Sequence, residues 1–403
     1  LKLSVSIGHL TGEKTNMSNQ KGTIGILTGG GDAQGLNQVI ATLSVKAIED
    51  GYRVVGIRRG WDGLINLVPD NDADNSRNFQ TLTEEIKKIA RTGGTFLHTS
   101  RIQPDKLPGA KVPDHLKSDY SEETNDLTPK ILKNLEFLKL DCLIIIGGDD
   151  TLRYATRLHE EGVNIVAIPV TIENDVPGTD YCIGFSTCCT RIIELTNNLR
   201  TIAGSHEALL VVEVPGQYAG FTALYPAMAG VVDRCVIPEY PFSMNSLTEL
   251  LMRDRNKNPS KYSIVLVSQG ARMIDETAPA HAAESIGKKI SLLLPELSAR
   301  YNNGTETAVF YQDLGNLIRS GNPDSHDSMF SMAFGTISYE LIGWNKFGRM
   351  ASFKDGKYTS VPIHEVLGEK RKVGKKHYIL DELKPSFINF FGEIPLTDFE
   401  LLS

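Results

Sequence analysis

Five consecutive apolar residues, Cys142-Leu143-Ile144-Ile145-Ile146, run without a polar break into Gly147-Gly148-Asp149-Asp150-Thr151. An apolar run this short, bounded by a glycine turn, reads as a buried strand. The two glycines let the backbone turn tightly, and the two carboxylates then open a helix. One carboxylate at such a turn suits Mg2+. Two side by side repel a bare phosphate. The pair is explained if Asp149 carries the metal and Asp150 excludes a ligand. The bland alternative is that Asp150 or Thr151 is simply the helix N-cap.

The same rhythm recurs along the chain. Thr23 to Thr28 reads as a strand, Gly29-Gly30-Gly31-Asp32 as a turn, and Leu36 to Glu49 as a helix stopped by Gly51. Arg53 to Ile57 reads as a strand, Gly60-Trp61-Asp62-Gly63 as a turn, and Leu82 to Arg91 as a helix. Residues 102–127 carry three prolines and form an irregular excursion. Further helices are expected at Pro129 to Leu138, Thr151 to Glu161, Ser186 to Ala203, Gly220 to Val232, Leu247 to Asp254 and Asp327 to Trp344. Ala280 to Tyr301 reads as a helical stretch broken or kinked at Pro295. Strands are expected at Asn164 to Ile168, Ala208 to Val214 and Tyr262 to Val267. Alternation of this kind predicts an α/β protein with mostly parallel sheets covered on both faces.

A chain of 403 residues is long for one core and predicts two domains. The net charge of −7 gives no footprint for nucleic acid. No apolar stretch approaches the ~20 residues of a membrane span, and no signal peptide is visible. Five cysteines without a CxxC spacing read as reduced thiols in a cytoplasmic protein, not as disulfides or a zinc site. The cluster Lys370-Arg371-Lys372 with Lys375 and Lys376 reads as a solvated surface, with closure over an anionic ligand as the lesser reading.

Two further segments carry chemistry. Gly29 to Asn37 offers backbone N–H groups and a helix N-terminus to a phosphate, although a glycine turn after a first strand is common in any α/β sheet. Pro169 to Asp180 follows the next strand and sets Glu173 and Asp175 two residues apart at the sheet's carboxyl edge. A carboxylate there could accept a proton from an attacking hydroxyl. An acidic loop with an Asx-turn at Asn174 or Asp175 is an even alternative.

In this order the three motifs resemble the phosphofructokinase family. The resemblance extends over roughly residues 20–345, with Gly93 to Leu97, Ser100-Arg101, Gly184 to Thr187, Ser205-His206 and Val212 to Gln217 also fitting. It implies two αβα domains with the active site in the cleft between them, and Mg2+-dependent phosphoryl transfer to the 1-hydroxyl of fructose 6-phosphate. Asp150 and Asn316 to Arg319 are similar to the long pyrophosphate-dependent subgroup, in which the second aspartate repels ATP. The implied roles are Gly30, Gly31, Gly148 and Asp150 around the phosphoryl donor, Asp149 on Mg2+, and Arg101 on the transferring phosphoryl. Thr171 would position both substrates, Glu173 would accept the proton, and Asp175 would support it. Gly216, Gln217, Gln269 and Arg319 would contact the acceptor.

Departures fall mostly on the acceptor side. Glu173 stands where the family has aspartate, Val170 where pyrophosphate users carry lysine, and Pro215 and Gln217 replace methionine and arginine. Gln269 replaces a glutamate and Ala208 an arginine. The expected activity is therefore transfer from pyrophosphate to fructose 6-phosphate or a related sugar phosphate. An ATP-dependent sugar kinase and a catalytically weak phosphate-binding homologue remain the alternatives. The expected domains are residues 17–180 plus roughly 320–352 for the donor, and 181–319 plus roughly 353–403 for the acceptor. Residues 1–16 form an extension expected to be mobile, and the resemblance implies a homodimer.

Overall fold

The structure is a computed structural model and describes residues 20–274 and 284–374. The extension at residues 1–16, and Lys375 and Lys376, lie outside them. The apolar runs form strands β1 (Gly22–Gly29), β2 (Tyr52–Ile57), β3 (Phe79–Leu82), a two-residue ribbon of β4 (Leu107–Pro108) and β5 (Thr124–Asn125), β6 (Cys142–Gly147) and β7 (Ile165–Pro169). Later come β8 (Leu209–Val214), β9 (Arg234–Val236), β10 (Ser263–Ser268), β11 (Val309–Asp313), β12 (Arg349–Lys354) and β13 (Lys357–Pro362). The helices are α1 (Leu36–Glu49), α2 (Trp61–Asn66), α3 (Thr128–Phe137), α4 (Asp149–Glu160) and α5 (Phe185–Ser205). They continue with α6 (Phe221–Met228), α7 (Met244–Lys257), α8 (Ile286–Ser298) and α9 (Ser325–Gly343).

One sheet has the order β13-β12-β7-β6-β1-β2-β3, parallel from β12 to β2 and antiparallel at both edges. The second has the order β11-β8-β10-β9 and is parallel throughout. Residues of β6 alternate between two cores. Ile144 and Ile146 join Ile24, Ile26 and α1, whereas Leu143 and Ile145 join Leu27 and α4. The first of these cores also takes Leu210, Val212 and Val214 from the second sheet, so one apolar layer runs between the sheets through α5 and α9. Gly335 permits the close packing of α9 on α1, because a Cβ there would sit 3.2 Å from the Thr42 Cβ.

Several sequence expectations change. Leu82 pairs with Val54 as the end of β3, and only a short 3-10 helix, Glu84–Ile89, follows. α8 runs through Pro295 to Ser298 without ending there, and residues 280–283 of the expected stretch lie outside those described. α6 ends at Met228, closed by Gly230 at φ 76°. The turn expected at Trp61 is a short helix, α2, which buries that ring. Residues 353–362 do not join the second sheet with the rest of the expected acceptor half. They sit instead in β12 and β13, on the edge of the first sheet.

Candidate active site

The carboxyl ends of β1, β6 and β7 open on a cleft with a cavity of about 230 Å3. Its floor is the Gly30-Gly31 turn and the first turn of α4. Gly30 adopts φ 91° and donates its N–H to the Ser100 carbonyl at 2.9 Å, which brings the loop carrying Arg101 to the turn. The expectation that Asp150 or Thr151 caps α4 does not hold. Gly148 occupies the cap with no side-chain bond, and both acids lie in the first turn.

Two guanidinium groups converge on Gly31. A Cβ on Gly31 would lie 3.1 Å from Arg101 Nη2 and 3.2 Å from Arg319 Nη1, so any other residue would push the guanidinium groups back by a few tenths of an ångström. Among the described residues neither arginine makes an ion pair. Paired cations without a carboxylate form a site for an anion. Arg319 arrives from the second half of the chain, in the 3-10 turn Leu317–Arg319 after β11. Fully buried Gln34 holds that turn by donating to Ile318 O at 2.8 Å and Ser320 O at 3.1 Å. Sequence reading passed over Gln34, although it sits inside the glycine motif.

The neighbouring acids are treated differently. Asp149 is nearly buried, and Arg153 Nε lies 3.0 Å from each of its oxygens. Asp150 is exposed and has no hydrogen-bond or charge partner among the described residues. No group of three or more potential metal ligands occurs among the described residues. A single carboxylate on the cleft still fits Mg2+, which keeps several waters and shares phosphate oxygens instead of filling a protein cage.

The loop after β7 supplies the remaining acids. Asn174 holds φ 55°, accepting from Cys182 N at 2.8 Å and donating to Asp180 O at 3.3 Å. This strained residue points Glu173 and Asp175 to the cleft side. Glu173 N donates to Thr171 Oγ1 at 3.2 Å, and Glu173 Oε2 accepts from Gln217 N at 3.2 Å. The longer glutamate thus reaches across to the second half. Burial, and then the charge of Asp175, push the Glu173 carboxyl above its ordinary range, against the opposing pull of Gln217 N–H, Arg319 and Lys370.

The cleft brings together Gly30, Gly31, Arg101, Gly148, Asp149 and Asp150 with Thr171, Glu173, Asp175, Gln217 and Arg319. Gly216 and Gln269 do not line it. Gly216, at φ 145°, shapes the turn after β8, where a Cβ would meet Ala219 O at 2.8 Å. Gln269 is exposed, its N–H donating to Val214 O. Lys370 is the main addition. Its Nζ lies 3.2 Å from Asp175 Oδ2 and 3.5 Å from Asp149 Oδ2, so this part of the basic cluster is not a solvated surface. Lys370 lies far from the other motifs in sequence, and only charge clustering marked it.

Fold and site together describe an α/β protein with a charged cleft beside two mostly parallel sheets, in which two arginines without an ion pair among the described residues suit an anion. The chain belongs to the phosphofructokinase family, whose model, described as Phosphofructokinase, matches residues 23–342. It is 34% identical over 355 residues to ATP-dependent 6-phosphofructokinase 3 of Bacteroides thetaiotaomicron, covering 88% of this chain and 95% of that protein. It is 33% identical over 351 residues to pyrophosphate–fructose 6-phosphate 1-phosphotransferase of Thermoproteus tenax, covering 87% and 94%. The solved phosphofructokinase of Saccharomyces cerevisiae superposes with a TM-score of 0.68 at 22% identity, over 86% of this chain; the chain spans 45% of that yeast chain. No helix among the described residues is long and apolar enough to cross a membrane.

Proposed function

We propose that the protein transfers a phosphoryl group from pyrophosphate to the 1-hydroxyl of fructose 6-phosphate. The observation that carries the choice of pyrophosphate is the first turn of α4, where Asp149 is neutralised by Arg153 and Asp150 is left bare. A bare carboxylate beside the anion site repels the additional phosphate of a nucleotide. The same reading makes the enzyme cytoplasmic, glycolytic and homodimeric. It divides the chain into a donor half built on the first sheet and an acceptor half on the second.

In this reading Arg101 and the Gly30-Gly31 turn, with the Gly31 N–H, orient the terminal phosphoryl. Arg319 and Gln217 face the acceptor, and Gly216 shapes the turn that carries Gln217. The 1-hydroxyl gives its proton to Glu173 as its oxygen bonds to phosphorus. The bridging O–P bond of pyrophosphate breaks, and orthophosphate leaves. Thr171 and Asp175 hold the base in place. Mg2+, held by Asp149, would supply charge neutralisation on the phosphate oxygens. Transfer of this kind needs positioning and electrostatics more than covalent chemistry.

A second reading, ATP as phosphoryl donor, is favoured by the name of the Bacteroides relative. For the acceptor, the test is a screen of free and phosphorylated sugars with pyrophosphate and Mg2+, read by phosphate release. Release with fructose 6-phosphate above all others is expected. Release with a different acceptor alone would replace fructose 6-phosphate in this reading.

A further inference from the structure

The cleft is lined by five carboxylates, Asp32, Asp149, Asp150, Glu173 and Asp175, against three cations, Arg101, Arg319 and Lys370. A diphosphate entering this surplus of negative charge needs every positive group present. Two of the cations sit together at Gly31, on the side of the first glycine turn. Lys370 lies beside Asp149 and Asp175. Val170 also lines the cleft and offers no charge.

Lys370 is delivered by a segment that belongs to neither sheet and is fastened on both sides of the residue. Arg153, the residue that grips Asp149, also donates to Leu367 O at 3.3 Å and Gly368 O at 3.1 Å. Beyond Lys370, Arg371 N donates to Asp175 O at 2.9 Å, its guanidinium lies 4.6 Å from the Phe221 ring centre, and Val373 N donates to Glu239 Oε1 at 2.9 Å. The segment therefore crosses from the first sheet to α6 of the second half, directly over the acidic loop. Asp149 is already neutralised by Arg153, so the looser 3.5 Å contact from Lys370 is not needed to hold it. The ammonium also rests 4.2 Å from the centre of the half-exposed Tyr218 ring, on a flexible stem.

We propose that Lys370 is a substrate-contacting cation of this active site: its ammonium passes from the two carboxylates to the oxygens of the transferring phosphoryl when the anion enters. This rests on the phosphotransferase reading above, though not on which phosphoryl donor is used. The C-terminal segment thereby completes a site that the two sheets leave short of positive charge.

The test is K370M, which keeps the stem and removes the charge. Binding of Mg2+-pyrophosphate, and separately of Mg2+-ATP, is measured by calorimetry without acceptor. Steady-state kinetics then use whichever of the two the wild type turns over. Donor binding is expected to weaken about tenfold and kcat to fall about 100-fold, the scale of losing one positioned group at developing charge. The acceptor KM should stay near the wild-type value, K370R should recover part of the loss, and K372M, at an exposed neighbour, should match the wild type. Wild-type affinity and kcat in K370M would overturn the proposal. So would a loss that K370R does not recover and that a lowered thermal midpoint accompanies, since Lys370 would then be a brace. A wild type that prefers ATP refutes the pyrophosphate reading alone and leaves the Lys370 comparison intact. A wild type that binds neither compound overturns both.

Discussion

Asp149 and Asp150 are neighbours in one helical turn, yet Arg153 fastens the first and nothing described fastens the second. Two unit charges about 4 Å apart interact by about 1 kcal/mol in bulk water and by about 4 kcal/mol at an effective dielectric of about 20, so the repulsion from exposed Asp150 grows as the bound anion displaces water from the cleft. An unpaired carboxylate can therefore decide between phosphoryl donors by itself. Glu173 provides the second residue-scale consequence. Its carboxyl is raised by burial and by Asp175, so it takes up a proton at a higher pH than an ordinary glutamate. Only the ionised form can accept the hydroxyl proton. The acid limb of kcat/KM in the phosphorylation direction should thus lie above the usual glutamate value of about 4.3. E173Q should abolish turnover and the limb with it. A limb at or below that value, or substantial activity in E173Q, would remove Glu173 from the base role. These acids were legible in the sequence because each follows a buried strand directly. Lys370 was marked only by its basic cluster, with closure over an anion as the lesser reading, and Gln34 was not marked, because their partners lie about 200 and 290 residues away.

At the scale of elements, the acidic loop depends on a buried anchor. Asp327, near the start of α9, is fully buried and accepts from Tyr181 Oη at 2.6 Å, Gly184 N at 2.7 Å, Thr187 N at 2.8 Å and Thr187 Oγ1 at 2.5 Å. Its carboxylate faces the first turn of α5, where the helix dipole favours a negative charge. It ties α9 to the chain leaving the acidic loop. D327A would strand these hydrogen-bond donors without acceptors and should cost about 3–5 kcal/mol. The readout is a lowered thermal midpoint. A midpoint within experimental scatter of the wild type would show that α5 and α9 do not need this link. α1, with its clear apolar stripe, was legible to the residue, and β6, with its unbroken apolar run, to within one. The edge strands were not. β13 is exposed over Lys357 to Thr359 and lacks the apolar signal of an interior strand, and β3 ends in a Leu82 that helical spacing could equally claim.

Taken as a whole molecule, the chain draws the carboxylates of the cleft and Arg101 from its first half and its other two cations from later in the sequence. The first sheet contributes the glycine turn, the paired aspartates and the loop of Glu173. The second contributes Arg319 and the Gln217 N–H, and the C-terminal segment adds Lys370 from outside both sheets. The cleft draws its charges from three separate stretches of chain, so the fold was readable from strand–helix alternation while the full charge inventory was not. The most direct test of this account is the ratio of kcat/KM for pyrophosphate to that for ATP, with Mg2+ and fructose 6-phosphate, in the wild type and in D150G. The ratio should favour pyrophosphate in the wild type and shift toward ATP by about ten- to a thousandfold in D150G. Faster turnover of ATP by the wild type, or an unchanged ratio in D150G, would contradict it.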